Sequence, residues 1–271
     1  MNTPRAAASD GLGPRPQEPP GRAPLPVPAH IALVMDGSGR WATHRDLPRT
    51  SGHKATAQNV FETIDGALSL GVPFLTVFLF STENWRRSRE ETTGLLAYLE
   101  DVARRRVAEF VARGVRVRWC GSAEGLPASL VQALEHVEAA TASDSAALTY
   151  TICVNYGGRA DLVHAARGLV RQALAGGLRP DDVDESLLAT QLMAPRLPDV
   201  DLLIRTGGEQ RLSNFMLWQC AYAELVFLPL LWPNFTRDDL RRAVDTYTRR
   251  ERRFGATGKA APDNRPGGDA P

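Results

Sequence analysis

His30-Ile31-Ala32-Leu33-Val34-Met35 runs without a break into Asp36-Gly37-Ser38-Gly39-Arg40-Trp41. The first six residues form an apolar run of strand length. The run ends in a carboxylate, glycines let the backbone approach a ligand, and an arginine follows at once. This combination suits a diphosphate with its metal. A carboxylate can hold Mg²⁺, bare backbone N–H groups can line phosphate oxygens, and a guanidinium can grip them in pairs.

Working outward, strand-like and helix-like segments alternate. Ala57, Val60, Phe61, Ile64 and Leu68 lie at helical spacing in residues 53–70, and Gly71 suits the stop. Phe74 to Phe80 (FLTVFLF) is a second buried strand. Ser88 and Glu91 form a capping-box pattern for a long helix over 89–113. Residues 115–120 (VRVRWC) alternate as an edge strand does. Pro127 to Ala142 reads as helix, Leu148 to Val154 as strand, Ala160 to Ala175 as helix and Leu187 to Met193 as a short helix. Leu202 to Ile204 and Leu225 to Phe227 complete six strands, and a last helix from Thr236 should run through the charged 249–253 region. The pattern predicts one α/β domain over 29–256 with a central, mostly parallel six-stranded sheet. Residues 1–28 and 257–271, rich in Pro, Gly and Ala, read as disordered tails.

Bulk properties narrow the function. With 32 basic and 31 acidic residues among 271, the net charge is +1, which gives no global argument for nucleic acid. The cysteines Cys120, Cys153 and Cys220 are three, widely spaced and in apolar stretches. They read as buried free thiols in a reducing, cytoplasmic setting rather than as a metal or disulfide framework. No stretch approaches the roughly 20 apolar residues of a membrane span. No GxxxxGK[ST] occurs, nor a GxGxxG with its downstream acid, which disfavours nucleotide and dinucleotide sites.

In an open parallel sheet, ligands bind at the carboxyl ends of the strands. The segments predicted there are Asp36 to Trp41, Ser81-Thr82-Glu83-Asn84-Trp85-Arg86-Arg87, Asn155 to Arg159, and Arg205 to Asn214. Together they bring Arg40, Arg87, Arg159, Arg205 and Arg211 toward one rim, which suggests a ligand with more than one phosphate. Arg49 and His53 lie next to the first loop. Trp41 and Trp85 can wall an apolar ligand. The apolar helix faces and Phe74 to Phe80 can enclose an elongated cavity, although plain core packing is the safer reading of them.

From His30 to Gly255 the chain resembles the cis-prenyltransferases, or isoprenyl transferases. The resemblance is carried by HIALVMDGSGRWA, RTSGHKA, FSTENWRR, NYGGR, LIRTGGEQRLSNFMLWQCAYAEL, LWPNF and RRERRFG in that order. It implies a homodimer with an undecaprenyl diphosphate synthase-like fold, an apolar tunnel and Mg²⁺. The implied substrates are isopentenyl diphosphate and an allylic diphosphate, with at most peripheral membrane contact. It further implies Asp36 as the essential metal and diphosphate carboxylate. Gly37, Ser38, Gly39, Arg40, Arg49 and His53 would belong to the allylic diphosphate loop, with Trp41 as a substrate wall. Ser81, Thr82, Glu83, Trp85 and Arg87 would touch substrate, and Asn84 is the position often assigned as proton acceptor. An amide is a poor base, so relay or orientation is the better role. Arg205, Arg211, Leu212 and Ser213 would bind isopentenyl diphosphate, Glu224 would be a second metal carboxylate, and Arg253 with Gly255 would reach across the dimer.

Two departures bear on the product. Ser38 stands where the family usually has asparagine, which removes an amide donor. Leu79 is bulkier than is usual in long-chain bacterial members, which predicts short or medium products. Irregular head-to-middle coupling of dimethylallyl diphosphate is the alternative reading. A non-catalytic partner subunit is a more remote one, because the acidic and basic site residues are all present.

Overall fold

The computed structural model describes residues 26–54 and 56–250. Six strands form one sheet: β1 (His30–Val34), β2 (Phe74–Ser81), β3 (Val115–Cys120), β4 (Leu148–Tyr156), β5 (Leu202–Arg205) and β6 (Glu224–Phe227). Their order is β3-β4-β2-β1-β5-β6, and every recorded pairing is parallel. The described helices are α1 (Ser38–Thr43), α2 (Arg49–Lys54), α3 (Ala57–Ser69), α4 (Arg89–Arg105), α5 (Val107–Ala112), α6 (Ala128–Ala140), α7 (Gly158–Leu174), α8 (Glu185–Thr190) and α9 (Arg237–Thr248).

Side chains alternate across each strand, so one continuous apolar run serves two cores. Ile31, Leu33, Leu75, Val77, Tyr150, Ile152, Leu202 and Ile204 pack with α3–α6 and α9. Ala32, Val34, Cys153, Tyr156 and Leu203 face the other way, onto Phe215, Met216 and Cys220. All three cysteines are free and buried, as their apolar contexts predict. The alternation slips at two neighbouring places. Phe78 pairs with Cys153 and Phe80 with Val154, leaving Leu79 as the extra residue of a β-bulge, and Ser81 then pairs with Tyr156, leaving Asn155 extra on β4. A bulge redirects a side chain, and Leu79 packs against the first core beside Phe80.

Element ends differ from the sequence reading in three places. The long helix over 89–113 is two helices, because Arg106 leaves helical geometry at φ −103° and ψ 6°. Its guanidinium sits 5.6 Å from the Phe61 ring and pairs with Glu109. The helix predicted over 53–70 also splits, into α2 and α3. The last helix stops at Thr248, with Arg249 as its cap, and residues 251–253 lie outside the described residues.

β1 follows the outer strands on one side and β5 begins the other side, so the direction of winding reverses between them. That is where a crevice opens at the strand ends.

Candidate active site

Asp36 leaves β1 at this crevice and is fixed by its backbone. Its carbonyl oxygen accepts from Thr206 Oγ1 at 2.8 Å and from Trp232 N at 3.0 Å. Gly37 follows at φ +105°, a conformation side chains resist, and a Cβ there would lie 2.8 Å from Leu231 Cδ2. The turn directs residues 38–43 into α1, whose first N–H groups have no intrahelical acceptor. Across the crevice, β5 ends in Arg205, in register with Val34.

The Asp36 carboxylate lies between two guanidiniums. Arg205 Nη2 donates to Oδ2 at 2.9 Å and Arg40 Nη2 to Oδ1 at 3.3 Å. Burial alone would raise the carboxyl's pKa, but the hydrogen bond and charge of Arg205, and then those of Arg40, outweigh it and hold it below the usual value. Arg205 is 5% exposed and donates from Nη1 to Arg211 O and Ser213 Oγ, each at 2.7 Å. Among the described residues its Nε–H has no acceptor. Arg40 also approaches Glu209 at 3.9 Å, and Arg211 donates to Glu209 at 2.6 Å, so Glu209 balances the outer cations.

The loop after β2 closes the other side. Ser81 and Asn84 cap the short 3-10 turn Thr82–Arg86 reciprocally, with the Ser81 N–H donating to Asn84 Oδ1 at 3.0 Å. The amide oxygen that the resemblance offers as proton acceptor is therefore engaged in holding the turn. Glu83 accepts from Asn214 Nδ2 at 2.8 Å. Burial opposes its ionisation, yet the hydrogen bonds from Asn214, Ser81 and Thr82 keep its pKa below the usual value. Asn214 also takes the N–H of Arg159 on Oδ1 at 2.8 Å and that of Gly158 on its carbonyl at 2.7 Å. It ties the loops after β2, β4 and β5 together. The sequence reading placed it in a loop without a role. Its signal is the backbone, since Ser213 and Asn214 sit at φ 51° and 64°, strain of a kind that clusters at functional sites.

These elements enclose a cleft of about 570 Å³, within the range of small-molecule sites. Asp36, Ser38, Ser81, Glu83, Asn84, Arg87, Arg205, Ser213 and Asn214 supply its polar wall, and Met35, Leu79, Leu99 and Trp232 part of its apolar wall. Arg87 is also paired with Glu91 at 2.9 Å. Gly39 lies against Arg49, where a Cβ would be 2.8 Å from its Nη2. The side chain of His53, and Arg253 and Gly255 entirely, lie outside the described residues.

Several expected contacts fall elsewhere. Trp85 is not a wall of this cleft. It packs edge-on against Phe80, donates from Nε1 to Asn155 Oδ1 at 2.8 Å, and with Thr82 lines a separate recess. The 3-10 turn points it away, so it anchors the loop. Trp41 donates to Asn234 Oδ1 at 3.0 Å under the Arg45 guanidinium and is also absent from the cleft wall. Arg159 is exposed and Leu212 packs into the second core. Glu224 begins β6 opposite Leu202, at the amino end of the sheet, and pairs with Arg250 at 2.8 Å. Three residues of strand, about 10 Å, separate it from the carboxyl ends, so it does not share an ion with Asp36 within one chain.

Among the described residues no three His, Cys, Asp or Glu side chains gather as a preformed metal cage. Asp36 alone still fits Mg²⁺, which is commonly held by one or two carboxylates together with substrate phosphates.

Residues 34–255 match the Prenyltransf model of the undecaprenyl diphosphate synthase family. A trans,polycis-polyprenyl diphosphate synthase, (2Z,6E)-farnesyl diphosphate specific, from Thermobifida fusca is 52% identical over 229 residues, covering 84% of this chain and 81% of the relative. Decaprenyl diphosphate synthase of Mycobacterium tuberculosis is 48% identical over 230 residues, covering 85% of this chain and 77% of the relative. The crystal structure of lavandulyl diphosphate synthase from Lavandula x intermedia, in complex with dimethylallyl diphosphate, superposes with TM-score 0.82 at 37% identity, covering 84% of this chain and 98% of that one.

Proposed function

The chain belongs to the undecaprenyl diphosphate synthase family of prenyltransferases, and on that premise we propose that its cleft joins isopentenyl diphosphate to an allylic diphosphate, leaving a Z double bond. The observation that carries this is a single space with two chemistries. At one end Asp36 is paired with Arg205 and Arg40 and Ser213 accepts from Arg205, and the wall turns apolar at Met35, Leu79 and Leu99. A prenyl diphosphate has the same two ends.

In this reading the α1 loop and Arg40 take the allylic diphosphate. Arg205, Arg211 and Ser213 take the diphosphate of isopentenyl diphosphate. Breaking the allylic C–O bond leaves an allylic cation and puts negative charge on the departing diphosphate. Fixed guanidiniums stabilise that charge without reorganising. The homoallylic double bond supplies the electron pair of the new C–C bond, and the adjacent carbon gives up its proton to an oxygen of the departed diphosphate, leaving the double bond. Asn84, held by Ser81, orients the loop beside that step. Asp36 would hold Mg²⁺ together with diphosphate oxygens, and the ion when bound would neutralise more of the diphosphate charge. The cytoplasm is the setting that fits the free thiols. Among the described residues no helix is long and apolar enough to cross a membrane. Dimerisation is proposed on the family resemblance.

Labelled isopentenyl diphosphate, Mg²⁺ and dimethylallyl, geranyl or farnesyl diphosphate test the proposal. Label should enter prenyl products from at least one primer, and no incorporation from any primer refutes it. The likeness to lavandulyl diphosphate synthase, together with this chain's own Ser38 buried at the cleft, favours one second reading, irregular coupling. Turnover of dimethylallyl diphosphate alone distinguishes it.

A further inference from the structure

None of residues 155–159, the NYGGR stretch, lines the cleft. Their partner is Asn214, which does. The Asn214 carbonyl accepts from Gly158 N at 2.7 Å and its Oδ1 from Arg159 N at 2.8 Å. A backbone N–H can only donate, so these bonds fix which way the amide faces. Nδ2 is left to point at Glu83, and it donates to Oε1 at 2.8 Å. Gly157 makes room for this arrangement. A Cβ there would lie 2.6 Å from Thr82 Oγ1 and 2.7 Å from Asn214 Nδ2. Its φ of −161° is open to any residue, so the glycine answers to space and not to backbone strain.

The Asn214–Glu83 bond joins two loops that lie 131 residues apart in sequence. Each partner sits next to a residue of the proposed chemistry. Ser213 precedes Asn214 and accepts from Arg205 Nη1 at 2.7 Å. Glu83 precedes Asn84, which holds the Ser81 N–H and with it the 3-10 turn. One end of the bond is therefore the loop proposed to take isopentenyl diphosphate, and the other is the turn that carries Asn84. Arg40, proposed for the allylic diphosphate, is engaged with Asp36 and Glu209 and not with this bond. A carboxylate acceptor makes the bond charge-assisted and directional.

We propose that Asn214 is a positioning residue for isopentenyl diphosphate: held by the NYGGR backbone, its amide sets the Asn84 turn against the Arg205–Ser213 loop, and so places the homoallylic double bond for attack. The proposal rests on the elongation reading above. It goes beyond that reading by giving Asn214 and Gly157 a part that acts on one of the two substrates.

Initial rates with each substrate varied in turn test it. Asn214→Asp keeps the size, the Oδ1 acceptor for Arg159 and the tolerance of positive φ, but sets an oxygen against Glu83 where the donor was. Its kcat/KM for isopentenyl diphosphate should fall roughly three- to thirtyfold, the worth of one partly exposed charge-assisted bond. KM for the allylic primer should stay at the parental value. Glu83→Gln offers an amide that can donate to the new carboxylate. Asn214→Asp should therefore cost far less when added to Glu83→Gln than when made alone, which a double-mutant cycle reads directly. Gly157→Ala pushes the Asn214 amide aside without altering any bonded group, and should give the same one-sided loss. If Asn214→Asp does not fold, Gly157→Ala decides. Parental kcat/KM in these variants overturns the proposal. So does an equal loss toward both substrates, or a loss that is the same with and without Glu83→Gln. A parent that incorporates no isopentenyl diphosphate overturns the elongation reading itself.

Discussion

Asp36 is held ionised by two cations of unequal freedom. Arg205 is buried and fixed by three hydrogen bonds, while Arg40 is more exposed and divides itself between Asp36 and Glu209. Arg40 can therefore turn to an arriving diphosphate while Arg205 stays as the fixed charge. Asp36→Asn keeps the size and removes the charge that both guanidiniums face. We expect kcat to fall about 10²–10³-fold, the scale of losing one electrostatic stabiliser, measured by label incorporation. His30 illustrates the opposite case, a titratable group kept neutral. Burial lowers its pKa from 6.5 to about 4, although hydrogen bonds from the chain beside it oppose this. Nδ1 donates to Pro198 O and Nε2 lies 2.8 Å from Thr76 Oγ1. Between those two pKa values the unfolded chain binds a proton that the folded chain refuses. Its contribution is thus whole above pH 6.5 and is lost as pH falls toward 4, by roughly 3 kcal/mol. Denaturant unfolding at pH 7.5 and pH 4 should show parent stability falling by about that much more than in His30→Gln. Equal slopes would contradict the assignment.

At the scale of elements, the turn after β1 is the most constrained. Gly37→Ala meets positive φ and Leu231 together, and should cost about 1–3 kcal/mol with a matching loss of activity. A variant with parental melting temperature would show that the turn relaxes freely. Much of this architecture was legible in the sequence because apolar runs of strand length bounded by glycines have few other solutions. All six strands and the edge position of VRVRWC were readable there. Side-chain direction was not. The bulge at Leu79 is one residue in a uniformly apolar run, and no pattern marks it. Trp85 follows Asn84 directly, yet the 3-10 turn sends the two to different clefts. At the break, Arg106 sits over Phe61, 45 positions earlier in the chain, a contact that no local helical period records. Glu224 lies in a motif-rich stretch but opens its strand instead of closing it, and only the register of β6 with β5 reveals that.

At the scale of the molecule, the sheet separates two tasks. The reversal of winding between β1 and β5 opens the charged crevice, and the helices on one face surround an apolar cavity. Asp36 and Arg205, the pair on which the charged end depends, are 169 residues apart in sequence. A ribosome adding 5–20 residues per second takes roughly 10–30 s to make that interval. Throughout it, one flank of β1 has no strand to pair with, and HIALVM is an apolar edge that invites other chains. A nascent chain therefore carries the carboxylate of its site long before the arginine that completes it. Whatever shields β1 in that interval, and not substrate, guards its folding.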